Sequence, residues 1–290
     1  MNTFNSAYDG FSKALHGIEP SVQRLWRASL LRRGVDITAP SSGRSTLVLA
    51  PHPDDESLGC GATIARKRAA GTAVSVVIAA DGRHSHSQSK IIDEWQLKEI
   101  RKQEAFDACA TLGAPKENVT QLGFEDTRLY EHKGELDELV EKSIRDTTPQ
   151  EILVVSGRDW HGDHQVLNQS AREIIAKLGY DGTVLEFPVW YWNDGPWIDR
   201  SNLSTLDKVY RFIADPIRSV VHDHPQLVST NGFLGKKQAA LRAHKSQTSN
   251  YTGEDTWQVM DAAFLADFLG QYELFFPMKL DERVQSTGRR

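Results

Sequence analysis

The sequence predicts an α/β protein with a Rossmann-like, doubly wound and mostly parallel sheet. Short β-branched runs alternate with longer amphipathic stretches, and four such alternations follow one another without a linker rich in Pro, Gly or Ser. Parallel neighbouring strands need crossover connections of this kind. We therefore expect a single domain over residues 44–280, preceded by a helical lead-in at residues 1–43 and followed by a polar tail at residues 281–290.

The individual elements are predicted from β-branched runs and from apolar residues at helical spacing. The predicted strands are Thr46 to Ala50, Ala73 to Ala80, Val119 to Leu122, Glu151 to Val155 and Thr183 to Val189. The predicted helices are a lead-in from about Asp9 to Arg33, then Ser57 to Ala70, Ile92 to Leu112, Glu135 to Arg145 and Val166 to Leu178. An irregular C-terminal elaboration follows, with a strand at Lys208 to Ala214 and helices near Lys236 to His244 and Val259 to Leu269.

The composition excludes several classes of protein. The chain has 290 residues, and 34 basic against 39 acidic side chains give a net charge of -5, which argues against a nucleic-acid partner. Two cysteines are too few for a disulfide framework, and no apolar run is long enough to cross a membrane. We expect a cytoplasmic protein, and the oligomeric state is not indicated. Ten histidines, several of them clustered with Asp, are the feature that needs an explanation.

The first such cluster is Pro-His-Pro-Asp-Asp-Glu at residues 51–56, directly after the first predicted strand. Ligands bind at this end of the strands in open α/β sheets. Three carboxylates and an imidazole so close together need a compensating charge, and a divalent metal supplies it economically. The alternative is a solvated turn in which Glu56 caps the next helix.

The second cluster is Asp-Trp-His-Gly-Asp-His at residues 159–164, after the fourth predicted strand. The two loops can converge, so that His52, one carboxylate of the Asp pair and His164 form a three-ligand set with a fourth position open to water. His161 would then be free to act as an acid or oxyanion donor, with Asp163 holding its tautomer through a hydrogen bond. The alternative is a surface turn.

These runs resemble the signature of the PIG-L deacetylase family, also called LmbE-like. The similarity rests on PHPDDE at residues 51–56, GATIA at 61–65 and HGDH at 161–164, with Pro51 and Gly162 as departures from the family pattern. Arg101 and Glu104 match its Arg-x-x-Glu helix, and residues 237–247 match its C-terminal His-x-Ser-Gln stretch.

The resemblance implies a metal held by His52, Asp55 and His164, with Asp54 as general base. The implied metal is Zn²⁺, and Fe²⁺ can occupy similar sites. The bound water would attack an acetamide carbonyl while Zn²⁺ and protonated His161 stabilise the oxyanion.

Two further residues are predicted to contact the substrate. Arg101 offers several donors to sugar hydroxyls or a phosphate, although an exposed arginine pairing Glu104 or Glu99 explains it about as well. His84, in the loop after the second predicted strand, opens on the same crevice. The aromatic segment from Phe187 to Trp197 would be either a stacking wall or part of the core.

Together these features predict a zinc-dependent hydrolase that removes an N-acetyl group from a small amino sugar or glycoconjugate of the N-acetylglucosamine type. One alternative is a metal-dependent amidase acting on a thiol conjugate. Another is a non-catalytic Rossmann-like binding protein, against which the presence of Asp54 and His161 argues because neither is needed as a ligand. The sequence alone assigns no role to His86 or His244.

Overall fold

A computed structural model describes residues 20–197 and 205–278, which form a mixed sheet of eight strands flanked by helices. The strands are β1 (Val35–Asp36), β2 (Thr46–Ala50), β3 (Val74–Ala80), β4 (Val119–Phe124), β5 (Glu151–Val155), β6 (Thr183–Phe187), β7 (Gln226–Ser229) and β8 (Tyr272–Pro277). The longer helices are α1 (Pro20–Arg33), α3 (Asp55–Ala69), α4 (Glu94–Thr111), α5 (Lys133–Thr147), α6 (Gly162–Leu178), α8 (Thr205–His222) and α9 (Leu234–Ala243). The short ones are α2 (Thr38–Ser42), α7 (Trp190–Asp194), α10 (Lys245–Thr248) and α11 (Ala262–Phe268).

The order of the strands places a ligand-binding crevice at the centre of the sheet. The order is β1-β7-β8-β6-β5-β2-β3-β4, and among these described strands β8 alone runs antiparallel to its neighbours, β6 and β7. The chain leaves β2 toward β3 on one side and later returns to β5 on its other side. Such a switch point opens a crevice at the carboxyl ends of the two strands.

The strands were predictable from the sequence because they are buried. Every residue of β2 and β5 is buried, so both are short, nearly continuous apolar runs in the sequence. All five predicted strands and the four helices between them are confirmed, with bounds that shift by a few residues. Helix α3 packs close to the end of β6, where a Cβ on Gly59 would lie 2.1 Å from Cδ2 of Phe187.

The prediction of a strand at Lys208 to Ala214 was wrong, because this stretch lies within α8. Its apolar residues Tyr210, Ile213 and Ile217 recur at helical spacing, a longer pattern than the short run suggested. The predicted lead-in helix is described from Pro20 onward, whereas its part before residue 20 and the polar tail at 281–290 lie outside the described residues. The domain boundaries stay predictions.

The C-terminal part of the chain completes the sheet. β8 inserts between β6 and β7, and β1 from the lead-in pairs with β7. A buried ion pair of 2.7 Å between Nζ of Lys237 and Oε1 of Glu273 ties α9 to β8, and the Glu273 carboxylate also accepts the backbone N–H groups of Ala62 and Thr63 in α3. Within the described ranges, no helix combines the length and apolar character needed to span a bilayer.

Candidate active site

The two predicted loops meet in a cavity of about 470 Å³ at the carboxyl ends of β2 and β5. The first loop, residues 51–54, joins β2 to α3, and the second precedes α6. Their parallel strands are adjacent in the sheet, so both loops emerge on the same edge. His52 and Asp54 from the first loop and Asp55 at the start of α3 therefore line the cavity together with His161 and His164, which lie at the start of α6.

Three ligand atoms form a nearly equilateral triangle at the base of the cavity. Nδ1 of His52 lies 3.3 Å from Nε2 of His164 and 3.3 Å from Oδ2 of Asp55. The same Asp55 oxygen lies 3.4 Å from Nε2 of His164. Ligand atoms at 2.0–2.1 Å from a tetrahedral zinc ion are about 3.3–3.4 Å apart, so this set fits three corners of such a site.

Carboxylates orient both imidazoles from behind. Asp159 Oδ2 lies 2.8 Å from Nδ1 of His164. Asp163 and Asp126 lie 3.1 and 3.2 Å from Nε2 of His52, so a proton on Nε2 leaves Nδ1 of His52 free to face a metal. Two other groups of side chains are close enough to hold a metal. One is His52, His161 and His164, and the other is His52, Asp126 and Asp163, which would use the opposite nitrogen of the His52 ring.

The local charge favours a bound cation. Burial lowers the pKa of His52, but its hydrogen bonds to Asp126, Asp163 and Asp55 raise it well above the usual range. These carboxylates therefore create a strongly negative environment that either a proton or a metal ion can balance.

The Asp163 carboxylate has a different partner from the one expected from the sequence. It lies against His52 and accepts the backbone N–H groups of Thr127 and Leu129. The Asp163 carboxylate therefore orients a candidate metal ligand, and the contact with the candidate oxyanion donor comes from the Asp163 backbone.

The hydrogen bond to His161 comes from the backbone N–H of Asp163, which donates to Nδ1 of His161 over 3.3 Å. This contact leaves the proton of a neutral imidazole on Nε2. Burial, with the nearby His52 and His164 rings, lowers the pKa of His161 to about 4. The lowered pKa favours a neutral His161 ring with its proton on Nε2, whereas the sequence led us to expect a protonated ring.

Asp54 is held in an unusual backbone conformation beside the triangle. Its φ of 138° is in a region that L-residues rarely adopt, and its N–H donates to Oε2 of Glu56 over 3.0 Å. Burial raises the pKa of Asp54 to about 7, while the Arg101 charge opposes the rise and Asp55 adds to it. A carboxylate with a pKa near neutrality is well matched to general-base work.

Arg101 supports Asp54. Its Nη2 donates to Oδ2 of Asp54 over 2.9 Å and to the carbonyl of Pro53 over 2.6 Å, and its Nη1 donates to the carbonyl of Gly82 over 3.1 Å. The side chain lines the cavity but is buried, which excludes the exposed arginine considered from the sequence. Gly82 permits this approach, because a Cβ there would lie 2.3 Å from Nη1 of Arg101.

The structure places His84 in the cavity and His244 next to Glu56. His84 lines the cavity, as its position after β3 suggested, and its Nε2 lies 3.2 Å from Glu125. His244 is buried away from the triangle, with its Nε2 3.1 Å from Oε1 of Glu56. Glu56 therefore braces the loop of Asp54 and is not an exposed helix cap.

Sequence reasoning missed Asp126 and Asp159 as partners of the two candidate metal-binding imidazoles. Asp159 stands in the second cluster itself, so its position five residues before His164 was an available signal. Asp126 follows β4, another strand whose carboxyl end reaches the crevice. Asp126 is far in sequence from both clusters, so the sequence did not indicate its contact with His52.

The protein therefore has an α/β fold in which imidazoles and carboxylates lie together at the crevice between β2 and β5. Residues 47–175 match the family model PIG-L, described as GlcNAc-PI de-N-acetylase. The resemblance noted from the sequence is thereby confirmed.

Two curated relatives are also named deacetylases. The "Probable N-acetyl-alpha-D-glucosaminyl L-malate deacetylase 2" of Bacillus cereus is 29% identical over 210 residues, which are 71% of this chain and 84% of that protein. The "Uncharacterized deacetylase YaiS" of Escherichia coli is 27% identical over 154 residues, which are 50% of this chain and 77% of that protein.

Solved structures share the fold. The N,N'-diacetylchitobiose deacetylase of Pyrococcus horikoshii has a TM-score of 0.59 at 20% identity, over 90% of this chain and 92% of that one. GalB, a 4-carboxy-2-hydroxymuconate hydratase of Pseudomonas putida, has a TM-score of 0.53 at 20% identity, over 78% of this chain and 82% of that one. The fold therefore hosts more than one reaction, and the site must decide between them.

Proposed function

We propose that the protein is a metal-dependent deacetylase that removes the N-acetyl group from an amino sugar or glycoconjugate of the N-acetylglucosamine type. The observation that carries this proposal is the triangle of His52, Asp55 and His164 with the Asp54 carboxylate beside it. The PIG-L match and the deacetylase names of the relatives support the substrate class.

His52, Asp55 and His164 would hold the metal, with Zn²⁺ as the first candidate and Fe²⁺ as the second. When bound, Zn²⁺ supplies a Lewis acid that polarises the amide carbonyl and lowers the pKa of water to about 7. Asp159, Asp126 and Asp163 keep the two imidazoles in the orientation that this role requires.

Asp54 and His161 would handle the charge and protons of the reaction. Asp54, with a pKa of about 7, accepts a proton from the attacking water. The Nε2–H of neutral His161 donates a hydrogen bond to the oxygen of the amide as negative charge develops there. The protonated Asp54 then returns its proton to the departing amine, and acetate is released.

A direct test compares the metal content and activity of the wild type with those of Asp54→Asn. The wild type should bind about one zinc per chain and release acetate from N-acetylglucosaminides, and chelation should abolish this activity. Asp54→Asn should keep its metal and lose at least about 100-fold in kcat. An Asp107→Asn variant, changed at an exposed carboxylate in α4, serves as the matched control.

The outcome also separates the alternative functions. Full activity in metal-bound Asp54→Asn would contradict the proposed mechanism. Cleavage of thiol conjugates without acetate release would favour the amidase, and metal binding without turnover of either substrate class would favour a binding protein.

A further inference from the structure

The cavity above the candidate metal site has two chemically different walls. The polar wall contains His84, Ser85, His86 and Gln247. The apolar wall contains Leu58, Val189, Trp190, Met260 and Phe264. A ligand that fills the cavity therefore needs a polar side and an apolar side.

Aromatic contacts connect the apolar wall to the candidate catalytic His161. The Trp160 ring lies 5.9 Å from the His161 ring and 5.3 Å from that of Trp190, and the Phe264 ring lies 5.5 Å from Trp190. Val259 also lines the cavity and is 42% exposed. One aromatic ring is enough to stack on a sugar, so this longer surface can take an additional apolar group.

Contacts between loops hold the two walls together. The His86 ring stacks on Trp257 with centroids 4.0 Å apart, and Nε2 of His86 lies 2.6 Å from the carbonyl of Gln258. The N–H of Met260 donates to the carbonyl of Gln247 over 2.8 Å. The apolar surface is thus preformed, which reduces the entropy lost when a ligand binds.

The charges of the cavity argue against an anionic group at this position. Among the described residues that line it, Arg101 is the one Lys or Arg side chain, and it is already bound to Asp54 and two backbone carbonyls. Asp261 adds a carboxylate to the lining. A malate or phosphate group would face these carboxylates with Arg101 as the one Lys or Arg side chain in the described lining.

We propose that the N-acetyl sugar substrate carries an uncharged, apolar aglycone that packs against Trp190, Met260 and Phe264. This inference rests on the proposed deacetylase function and specifies its substrate class. The sugar hydroxyls would face the polar wall, and the acetamide would reach the candidate metal site.

The test compares acetate release from the methyl, phenyl and malyl glycosides of N-acetylglucosamine with the same anomeric configuration. We expect kcat/KM for the phenyl glycoside to exceed that for the methyl glycoside by about 10- to 100-fold, the range given by burial of one aromatic group. The malyl glycoside should be the poorest of the three. Trp190→Ala and Phe264→Ala should each reduce the ratio of phenyl to methyl kcat/KM.

Trp95→Ala is the matched control, because Trp95 is 59% exposed and lies outside the cavity lining. Circular dichroism establishes that each variant is folded, and Phe264→Ala carries the test if Trp190→Ala does not fold. A malyl glycoside that reacts as fast as the phenyl glycoside overturns the inference. The inference is also overturned if Trp190→Ala and Phe264→Ala both fold and leave the ratio of phenyl to methyl kcat/KM unchanged.

Calorimetry with the same three glycosides separates the inference from the proposed function. If no glycoside releases acetate from metal-loaded protein, the deacetylase proposal fails. Tighter binding of the phenyl glycoside, weakened by Phe264→Ala, would still support the apolar subsite. Equal or tighter binding of the malyl glycoside would overturn it.

Discussion

Nη2 of Arg101 lies 2.9 Å from Oδ2 of Asp54, within a buried environment. The contact joins α4 to the loop after β2 and places a fixed positive charge on the candidate general base. Because a neighbouring cation stabilises the ionised carboxylate, Arg101 keeps the pKa of Asp54 lower than burial alone would set it.

Replacing Arg101 should therefore move the acidic limb of the pH profile. Without the guanidinium, the pKa of Asp54 rises above about 7, and its base form appears only at higher pH. We expect kcat/KM of Arg101→Met at pH 6, relative to that at pH 9, to fall about tenfold further than in the wild type. Arg101→Lys should shift the profile less, and the exposed Lys102→Met should leave it unchanged. An unshifted profile in Arg101→Met would contradict this role.

Replacing His161 should affect turnover without removing metal. His161→Ala deletes the candidate oxyanion donor, so we expect kcat to fall about 10²- to 10³-fold with zinc content unchanged. His161→Gln restores an N–H donor and should recover part of that loss. Steady-state kinetics and metal analysis of both variants check the prediction, and a loss of zinc in His161→Ala would count against it.

Replacing Asp159 should weaken metal binding. Its carboxylate lies 2.8 Å from Nδ1 of His164 and accepts the N–H of Tyr191, so Asp159→Asn loosens the orientation of that imidazole. We expect zinc affinity to fall about 10- to 100-fold, measured by competition with a chromophoric chelator. Asp107→Asn is the control, and equal affinities in the two variants would exclude the orienting role.

Breaking the buried ion pair between α9 and β8 should destabilise the fold. Lys237→Met leaves the Glu273 carboxylate buried without its cation, and we expect the free energy of unfolding to fall by about 3–5 kcal/mol. Urea denaturation measures this change, and Lys236→Met tests a neighbouring exposed lysine. Adding Glu273→Gln to Lys237→Met should recover part of the loss, whereas strictly additive effects would contradict the coupling.

The strands around the site were predictable because their signal is local. β2 and β5 are buried on both faces, and both belong to a regular alternation of strands and helices. The positions of His52 and His164 after these strands then indicated that their loops share one edge of the sheet.

The C-terminal strands carried no such signal. β7 and β8 follow irregular connections, and β8 enters the sheet antiparallel between β6 and β7. Pairing across this distance depends on the assembled sheet and not on a period within either strand. The helix from Thr205 to His222 was likewise misassigned because a short window within it did not reveal its period.

The sequence by itself determined the strand and helix alternation, and it placed His52, Asp54, Asp55, His161 and His164 in two loops at the sheet edge. The tertiary structure decided their partners: Arg101 on Asp54, Asp126 on His52 and Asp159 on His164. It also lowers the pKa of His161, because the fold buries this ring and places two other imidazoles beside it. Periodicity reports which face of an element is buried, whereas the partner and charge state of a side chain depend on what the whole fold brings against it.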